Sequence, residues 1–296
     1  NSIHFQLNCF DPIATDIVCE GDVVPSVGEI EFNKVNYINW VGWAVYAQRV
    51  RIWDSGTKKL TDFTTHYSFI IDTQGSKNYG HGLVFFLAPL DFDIPRNSSG
   101  GFLGLFNTTT SESPKNQIVT VEFDSFVNTG WDPLYEHVGI NNNSISSIVT
   151  TPWNASLHSR DTTNVWITYN ASTQNLSVFW SYDATPTPPV NSSLCYRIDL
   201  REVVSEWVKV GFSATTAEYR ERHRLKSWEW VAPPTVAPLL LNLMGHAHPR
   251  TNIPGLSHHV PNISLGQYIL TNVGTLVWRL FATPDSFSGF STLPLA

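Results

Sequence analysis

The residues best suited to chemistry lie close together near the middle of the chain, where carboxylates, an amide and an imidazole follow one another. Glu122 and Asp124 are two positions apart in a strand-like run, so we expect both carboxylates on one face of the strand. Asn128 and Asp132 follow in a loop, and His137 stands at the start of the next strand. Oxygen ligands with one imidazole suit Mn²⁺ beside Ca²⁺, and two cations would let three carboxylates converge without mutual repulsion. The alternative is an acidic strand end followed by a solvated loop.

Strands are the elements that must position these side chains. The first 231 residues contain a succession of period-two or wholly apolar runs rich in Val, Ile, Phe, Tyr and Trp, separated by clusters of Gly, Pro, Asn, Asp and Ser. One short segment, 198–207, has a helical pattern. This order predicts an all-β sandwich or jelly roll without alternating helices. The predicted strands span 29–32, 42–47, 63–72, 82–88, 118–124, 164–170, 175–181, 207–213 and 225–231.

The composition excludes several classes of protein. The 296 residues are 42% hydrophobic and only 15% charged, which argues against intrinsic disorder. A net charge of −7 makes nucleic acid an unfavourable partner, and no run of about 18 apolar residues predicts a transmembrane segment. Because the only Met is not at position 1, we expect a mature chain from which a leader has been removed.

Eight N-glycosylation sequons point to the secretory pathway and to a secreted or cell-surface glycoprotein. An Asn- and Ser-rich chain would also produce some sequons by chance. The three cysteines are too few for a disulfide framework, and a bridge between Cys9 and Cys19 stays open. The sequons begin at Asn97, Asn107, Asn142, Asn154, Asn170, Asn175, Asn191 and Asn262.

The composition changes after Ala232-Pro233-Pro234, which predicts a domain over 1–231 and a tail over 232–296. The tail carries recurrent Pro and four histidines but no acidic or thiol partner at ligand spacing, which favours an unpatterned tail over a metal site. One further strand within 265–283 is possible, and the tail has no assigned role. The histidines are His246, His248, His258 and His259.

Several motifs in a fixed order resemble the legume-type (L-type) lectins, and especially the lectin domains of plant lectin receptor kinases. The resemblance covers residues 1 to about 231 and implies a concanavalin-type jelly roll of two large antiparallel sheets, with metals and sugar at one end. The motifs are Phe10-Asp11-Pro12, Gly42-x-Ala-Val-Tyr46, Ile52-Trp53-Asp54, Phe63-x-Thr-x-Tyr-Ser-Phe69, Gly82-Leu-Val-Phe-Phe-Leu-Ala-Pro89, Gly100-Gly-Phe-Leu-Gly-Leu-Phe106, Gly139-Ile-Asn-Asn-Asn-Ser-Ile145 and Gly211-Phe-Ser213.

The resemblance implies a role for each residue of the 122–147 region. Mn²⁺ would be held by Glu122, Asp124, Asp132 and His137, with Ser147 holding a metal-bound water. Ca²⁺ would be held by Asp124, Asp132, Asn128 and the carbonyl of Phe126. The metals would not touch the sugar but would order the loop that presents Asn128 and Phe126 to it.

Sugar contact is implied for a second set of residues. The Asn128 amide would bond a hydroxyl, the Phe126 ring would pack on the sugar, and the Gly101 N–H would add a donor. The loop after β-strand residues 211–216 is shorter than in seed lectins and begins with Ala217 and Glu218, which are assigned to sugar contact as well.

His81 departs from the family pattern, which has an Asp sugar anchor at this place. A neutral imidazole offers one acceptor and one donor, and a protonated one offers no acceptor. Loss of a charge-assisted acceptor costs about 1.5–3 kcal/mol, or roughly 10- to 100-fold in affinity. His81 is still expected to contact the ligand, with weakened affinity for simple sugars.

Three functions follow. The first is metal-dependent binding of a glycan or glycoprotein by a free lectin or a receptor ectodomain, with a possible homodimer. The second is a lectin-like scaffold that has lost sugar binding and recognises a peptide, a protein or a small apolar ligand. The third, a jelly-roll glucanase, is disfavoured because Phe126 and Val127 stand where a second catalytic Glu is needed, so we expect no enzyme activity.

Overall fold

The computed structural model describes residues 3–33, 37–183 and 193–232, and the structural statements below concern these residues. The predicted tail beyond Ala232 and the sequons at Asn191 and Asn262 lie outside them.

Two antiparallel sheets of eight strands each make up the fold. Sheet 1 contains β2 (Ile17–Gly21), β5 (Val41–Tyr46), β6 (Val50–Arg51), β8 (Leu83–Pro89), β9 (Val119–Asp124), β10 (His137–Asn142), β11 (Val149–Pro152) and β15 (Trp207–Thr215). Sheet 2 contains β1 (Ile3–Leu7), β3 (Val24–Ser26), β4 (Glu29–Glu31), β7 (Phe63–Asp72), β12 (Thr163–Asn170), β13 (Asn175–Ser181), β14 (Ser193–Arg197) and β16 (Arg222–Ala232).

The chain crosses between the two sheets several times. Sheet 1 runs β11-β10-β9-β8-β15-β5-β2 with β6 on β15, and sheet 2 runs β14-β13-β12-β7-β16-β4-β3 with β1 on β16. One helical turn, α1 (Leu200–Val203), precedes β15. Its N-cap is Asp199, whose side chain accepts a hydrogen bond from the Arg201 N–H.

Aromatic side chains fill the space between the sheets. Phe69 on β7 meets Phe123 on β9 edge-on at 5.0 Å, and Tyr67 meets Phe212 of β15 at 4.7 Å. All four rings are almost wholly buried. These are inward-facing positions of alternating strands, so burial of their apolar area holds the sandwich together.

Sheet 1 is also covered on its other face. Residues 98–106 form a loop over it, and Leu103, Leu105 and Phe106 pack there on Trp43. Trp43 Nε1 donates a hydrogen bond to the Gly104 carbonyl at 3.0 Å. Burial on both faces explains why the sequence of β8 is an unbroken apolar run rather than an alternating one.

All nine predicted strands are present, with ends within three residues of those expected, and α1 lies inside the segment with the helical pattern. β10 begins at His137, as the sequence predicted. The strands β1, β2, β3, β6, β11 and β14 were not predicted. The Cys9–Cys19 bridge is not formed, because all three cysteines are free thiols.

Candidate functional site

Two adjacent strands bring a pair of carboxylates and an imidazole together. Glu122 and Asp124 lie buried on β9, and His137 on β10 lies directly opposite Asp124 in the antiparallel register. His137 Nε2 is 3.0 Å from Glu122 Oε1, and one ligand atom from each of the three side chains lies within 4.8 Å of the others. The three side chains thus form a possible metal site.

Gly139 and Ser147 complete this group. Gly139 faces Glu122 across the β9–β10 ladder, and a Cβ there would overlap the hydroxyl of Ser147. The missing side chain lets Ser147 Oγ donate a hydrogen bond to Glu122 Oε1 at 2.5 Å. The structure therefore places Ser147 against a predicted metal ligand.

Carboxylates also close the turn after β9. Asp124 Oδ1 accepts a hydrogen bond from the Phe126 N–H at 2.7 Å, and Asp132 Oδ2 accepts one from the Asn128 N–H at 2.7 Å. The Asp132 N–H donates to the Asn128 carbonyl at 2.9 Å. Both aspartates therefore shape the turn that carries Phe126 and Asn128.

Burial raises the pKa of both aspartates. The pKa of Asp124 lies well above its usual value because the carboxyl is desolvated and faces the charges of Asp132 and Glu122. Desolvation raises the pKa of Asp132 to about 7, and the charge of Glu122 adds to this. A divalent cation would offset both effects, and carboxylate oxygens with one imidazole fit Mn²⁺ and Ca²⁺.

An open cavity of about 600 Å³ lies beside this turn. Four of the six residues predicted to contact sugar line it, and they come from four separate chain segments. His81 precedes β8, Gly101 lies in the loop over sheet 1, Asn128 lies in the turn after β9, and Ala217 follows β15. The fold thus converges on one cavity from distant parts of the sequence.

The other two predicted residues do not line the cavity. The Phe126 ring lies 4.6 Å from the ring of His81 and stacks on Tyr219 at 5.1 Å. Phe126 therefore supports His81 from behind, and a Cβ at Gly80 would press against it. Glu218 is exposed.

Three residues that line the cavity carry buried polar atoms without a partner. His81 is 4% exposed and Ser98 is 2% exposed, and both line it. Among the described residues, no hydrogen bond reaches either ring nitrogen of His81, Ser98 Oγ or Asn128 Oδ1. Since buried polar atoms are nearly always paired, these atoms are suited to bond a polar ligand or water.

His81 is held in its neutral form. Burial, with a smaller contribution from the charge of His223, lowers the pKa of His81 to about 4. A neutral imidazole presents one N–H donor and one acceptor nitrogen. The peptide bond between Gly80 and His81 is cis. His81 therefore brings both hydrogen-bonding roles, without charge, to the cavity.

Among the lining residues that sequence reasoning missed are Ser98, Phe102 and Trp131. Phe102 and Trp131 stack at 5.4 Å and give the cavity an aromatic wall. Trp131 stands between Asn128 and Asp132, so its position in the candidate turn was an available signal. Ser98 offered no such signal, because it appeared only as part of a sequon.

A buried polar network ties the turn to β16. Glu221 Oε1 accepts a hydrogen bond from Ser125 Oγ and lies 2.9 Å from His223 Nε2. His223 Nδ1 lies 2.8 Å from Asn33 Oδ1. Glu221 and His223 are fully buried, and neither was singled out from the sequence. The network fixes Ser125, which stands between Asp124 and Phe126.

Comparison with known families decides the identity of this fold. The sequence model of the Legume lectin domain matches residues 2–238. The chain belongs to the legume lectin family. Members of the family generally bind carbohydrate and are generally not enzymes. The resemblance drawn from the motifs is thus confirmed.

Receptor kinases and free lectins are both similar to this lectin. The L-type lectin-domain containing receptor kinase IX.1 of Arabidopsis thaliana is 47% identical over 233 residues, which are 77% of this chain but 36% of that protein. The chain thus spans about a third of the receptor kinases it matches. Lectin 6 of Medicago truncatula is 39% identical over 78% of this chain and 86% of its own length.

Solved lectin structures have the same fold. Lectin II from Ulex europaeus is 35% identical, with a TM-score of 0.71 over 78% of this chain and 98% of its own. The Lotus tetragonolobus seed lectin is 34% identical, also with a TM-score of 0.71. The predicted all-β jelly roll of two antiparallel sheets is therefore confirmed. None of the described helices is long and apolar enough to span a membrane.

Proposed function

We propose that this lectin binds a glycan, free or on a glycoprotein, in the cavity beside the β9–β10 turn. One observation carries the proposal: a single open cavity is lined by His81, Ser98 and Asn128, each of which has a buried polar atom without a partner. Sugars present many hydroxyls and apolar C–H faces, so they need directional partners and an aromatic surface. The stacked rings of Phe102 and Trp131 supply such a surface.

Two cations would order the turn. Glu122, Asp124, Asp132 and His137 would hold Mn²⁺, with Ser147 holding a metal-bound water. Asp124, Asp132, Asn128 and the Phe126 carbonyl would hold Ca²⁺. The cations would supply positive charge to a crowded acidic cluster and fix the turn, so that Asn128 meets the ligand already in place.

Contacts with the sugar would come from several backbone and side-chain groups. Asn128 would use its amide, Gly101 its N–H, and His81 its neutral ring. Ala217 and Glu218 would face a larger ligand at the edge of the cavity. Phe126 would act by supporting the His81 ring. Since His81 lacks the negative charge of an Asp, we expect weak affinity for simple sugars.

The setting of the domain is part of the proposal. Residues 1–231 would form the lectin domain, and 232–296 an additional segment without an assigned role. Sequons and receptor-kinase and lectin relatives support a protein that is secreted or presented outside the cell. A homodimer is proposed by analogy with the family, and no enzyme activity is proposed.

Binding to a glycan array tests the proposal. With Ca²⁺ and Mn²⁺ present, we expect reproducible binding that is lost in Asn128→Ala and strengthened in His81→Asp. Chelation with EDTA should lower the thermal midpoint and abolish binding. A blank array, or a midpoint that chelation leaves unchanged, would contradict the proposal.

A lectin-like scaffold without sugar binding is the second candidate. The observation that favours it is the uncharged His81 at the cavity. Peanut lectin has been solved with a nine-residue peptide, and arcelin-5 of Phaseolus vulgaris is described as a lectin-like defense protein. A blank glycan array together with binding of peptides at the same cavity would favour this candidate.

A further inference from the structure

We propose that an N-linked oligosaccharide on Asn97 covers the cavity and controls access of external glycans to it. The inference rests on the proposed function, because it concerns the same cavity. The sequon at Asn97 would then have a regulatory role, because the glycan attached to it would occupy the mouth of the cavity.

Position is the first argument. Asn97 is exposed and lines the cavity together with Gly101 and Asn128. The next residue, Ser98, is buried, lines the same cavity and carries an unpartnered hydroxyl. The attachment site of the glycan and a wall of the cavity are therefore consecutive residues, and the first sugar on Asn97 starts at the rim.

Availability of the acceptor nitrogen is the second argument. In the part of the chain that the structure describes, the Asn97 side chain makes no hydrogen bond, so its Nδ2 is free for attachment. At two other sequons this atom is engaged. Asn107 Nδ2 donates to the Arg96 carbonyl at 3.2 Å, and Asn175 Nδ2 donates to Ser177 Oγ at 2.8 Å.

Hydrogen bonds hold the loop that carries the sequon in place beside the cavity. The Gly104 N–H donates to the Ser98 carbonyl at 2.8 Å, and Thr215 Oγ1 donates to the Gly100 carbonyl at 2.7 Å. The first bond holds the middle residue of the sequon within its own loop, and the second ties the residue after the sequon to β15 of sheet 1. Asn97 itself adopts a left-handed conformation with φ 58°. A glycan attached there remains beside the cavity.

Expression in two hosts tests the inference. The same sequence is produced in a glycosylating insect-cell host and in bacteria, and site occupancy is measured by mass spectrometry. Metal content and thermal midpoint establish that both proteins are folded. We expect at least tenfold weaker binding to the glycan array ligands for the protein that carries a glycan on Asn97.

A pair of variants from the glycosylating host separates this site from the others. Ser99→Ala removes the sequon while keeping Asn97, and Ser99 makes no hydrogen bond as the cap of its turn. Asn170→Gln removes an exposed sequon at the opposite end of the sandwich. β12 runs antiparallel to β7: Thr163 at its start pairs with Phe69, and Tyr169 near its end pairs with Phe63, the first residue of β7. Asn170 therefore lies at the end of the sandwich where β7 begins. Only Ser99→Ala should restore binding.

Two outcomes would overturn the inference alone: an unoccupied Asn97 in the glycosylated protein, or equal affinities of proteins with and without its glycan. If folded, metal-loaded protein from both hosts fails to bind any glycan, the proposed function fails and the inference with it.

Discussion

Gly101 lies directly against the carboxamide of Asn128, and a Cβ at this position would overlap the Cγ, Oδ1 and Nδ2 atoms of that side chain. The two residues belong to different segments, the loop over sheet 1 and the turn after β9. Their contact defines one wall of the cavity. The position of the Asn128 side chain therefore depends on the absence of a side chain at Gly101, 27 positions earlier in the sequence.

Gly101→Ala should weaken glycan binding by at least tenfold, which corresponds to about 1.4 kcal/mol. The added methyl group would displace the Asn128 carboxamide from the cavity. Thermal stability should change less than affinity, because Asn128 is only half-buried and has room to turn away. Titration calorimetry with an array ligand measures the affinity.

Gly130→Ala is the matched control. Gly130 lies in the same turn, and no atom lies within 4 Å of a Cβ built on it. Its affinity should equal that of the wild type. Equal effects of the two substitutions would mean that the contact between Gly101 and Asn128 does not position the amide.

Gly139→Ala should weaken Mn²⁺ binding by about tenfold or more. The new Cβ would overlap Ser147 Oγ and lie 2.8 Å from Glu122 Oε1, so both side chains would have to move. Ca²⁺ affinity should fall less, because neither residue belongs to the proposed Ca²⁺ ligands. Calorimetry with each metal alone compares the two affinities, and an unchanged Mn²⁺ affinity would refute the role of Glu122.

Ser125→Ala should destabilise the fold by about 1–3 kcal/mol, the usual cost of leaving a buried acceptor short of a donor. The lost bond is the one from Ser125 Oγ to Glu221 Oε1. Urea denaturation of metal-free bacterial protein measures the free energy of unfolding. As a control, Ser172→Ala removes the exposed hydrogen bond to Asn170 Oδ1 and should cost less than about 0.5 kcal/mol. Similar losses in both variants would contradict the account.

Stability should fall with acid partly because of His81. Its pKa is about 4 in the folded protein against an ordinary value of 6.5, because burial disfavours the charged ring. The unfolded chain therefore binds a proton on this ring before the folded protein does. The contribution of His81 to the free energy of unfolding is fully present above pH 6.5. As pH falls toward 4, up to about 3 kcal/mol of it is lost.

His81→Gln removes this titration and keeps a polar side chain. The unfolding free energy of the wild type minus that of the variant should decrease as pH falls from 7 to 4.5, as measured by urea denaturation at each pH. A difference that stays constant over this range would show that His81 does not titrate with a lowered pKa.

Much of the fold follows from sequence because strong patterns produce the central strands. β8, β9 and β15 are apolar or alternating runs bounded by turn residues, and they were predicted. β3 was missed because three residues with a Pro in the middle are too few to show periodicity. β1 alternates apolar and polar residues over Ile3–Leu7, so its signal was present and was overlooked. β14 lies at the edge of sheet 2 and fully buries only Leu194, so its pattern is weak.

The site was predictable only where its residues are close in sequence. Glu122, Asp124 and His137 came from strand spacing, and the resemblance supplied Gly101 and His81. Ser98 and Glu221 were not found, because their roles depend on which distant segments meet in space. Ser98 matters through its unpaired hydroxyl, and Glu221 through a partner in the turn after β9.

The last two strands in the part of the chain that the structure describes, β15 and β16, occupy the middle of their sheets. β15 lies between β8 and β5, and β16 pairs with β7 on one side and with β1 and β4 on the other. Before β15 has been released from the ribosome sheet 1 consists of two halves with bare inner edges, and sheet 2 does so until β16 has been released. A nascent chain of this kind depends on chaperones to shield those edges, and a product cut short even slightly before β16 should aggregate rather than form a smaller lectin.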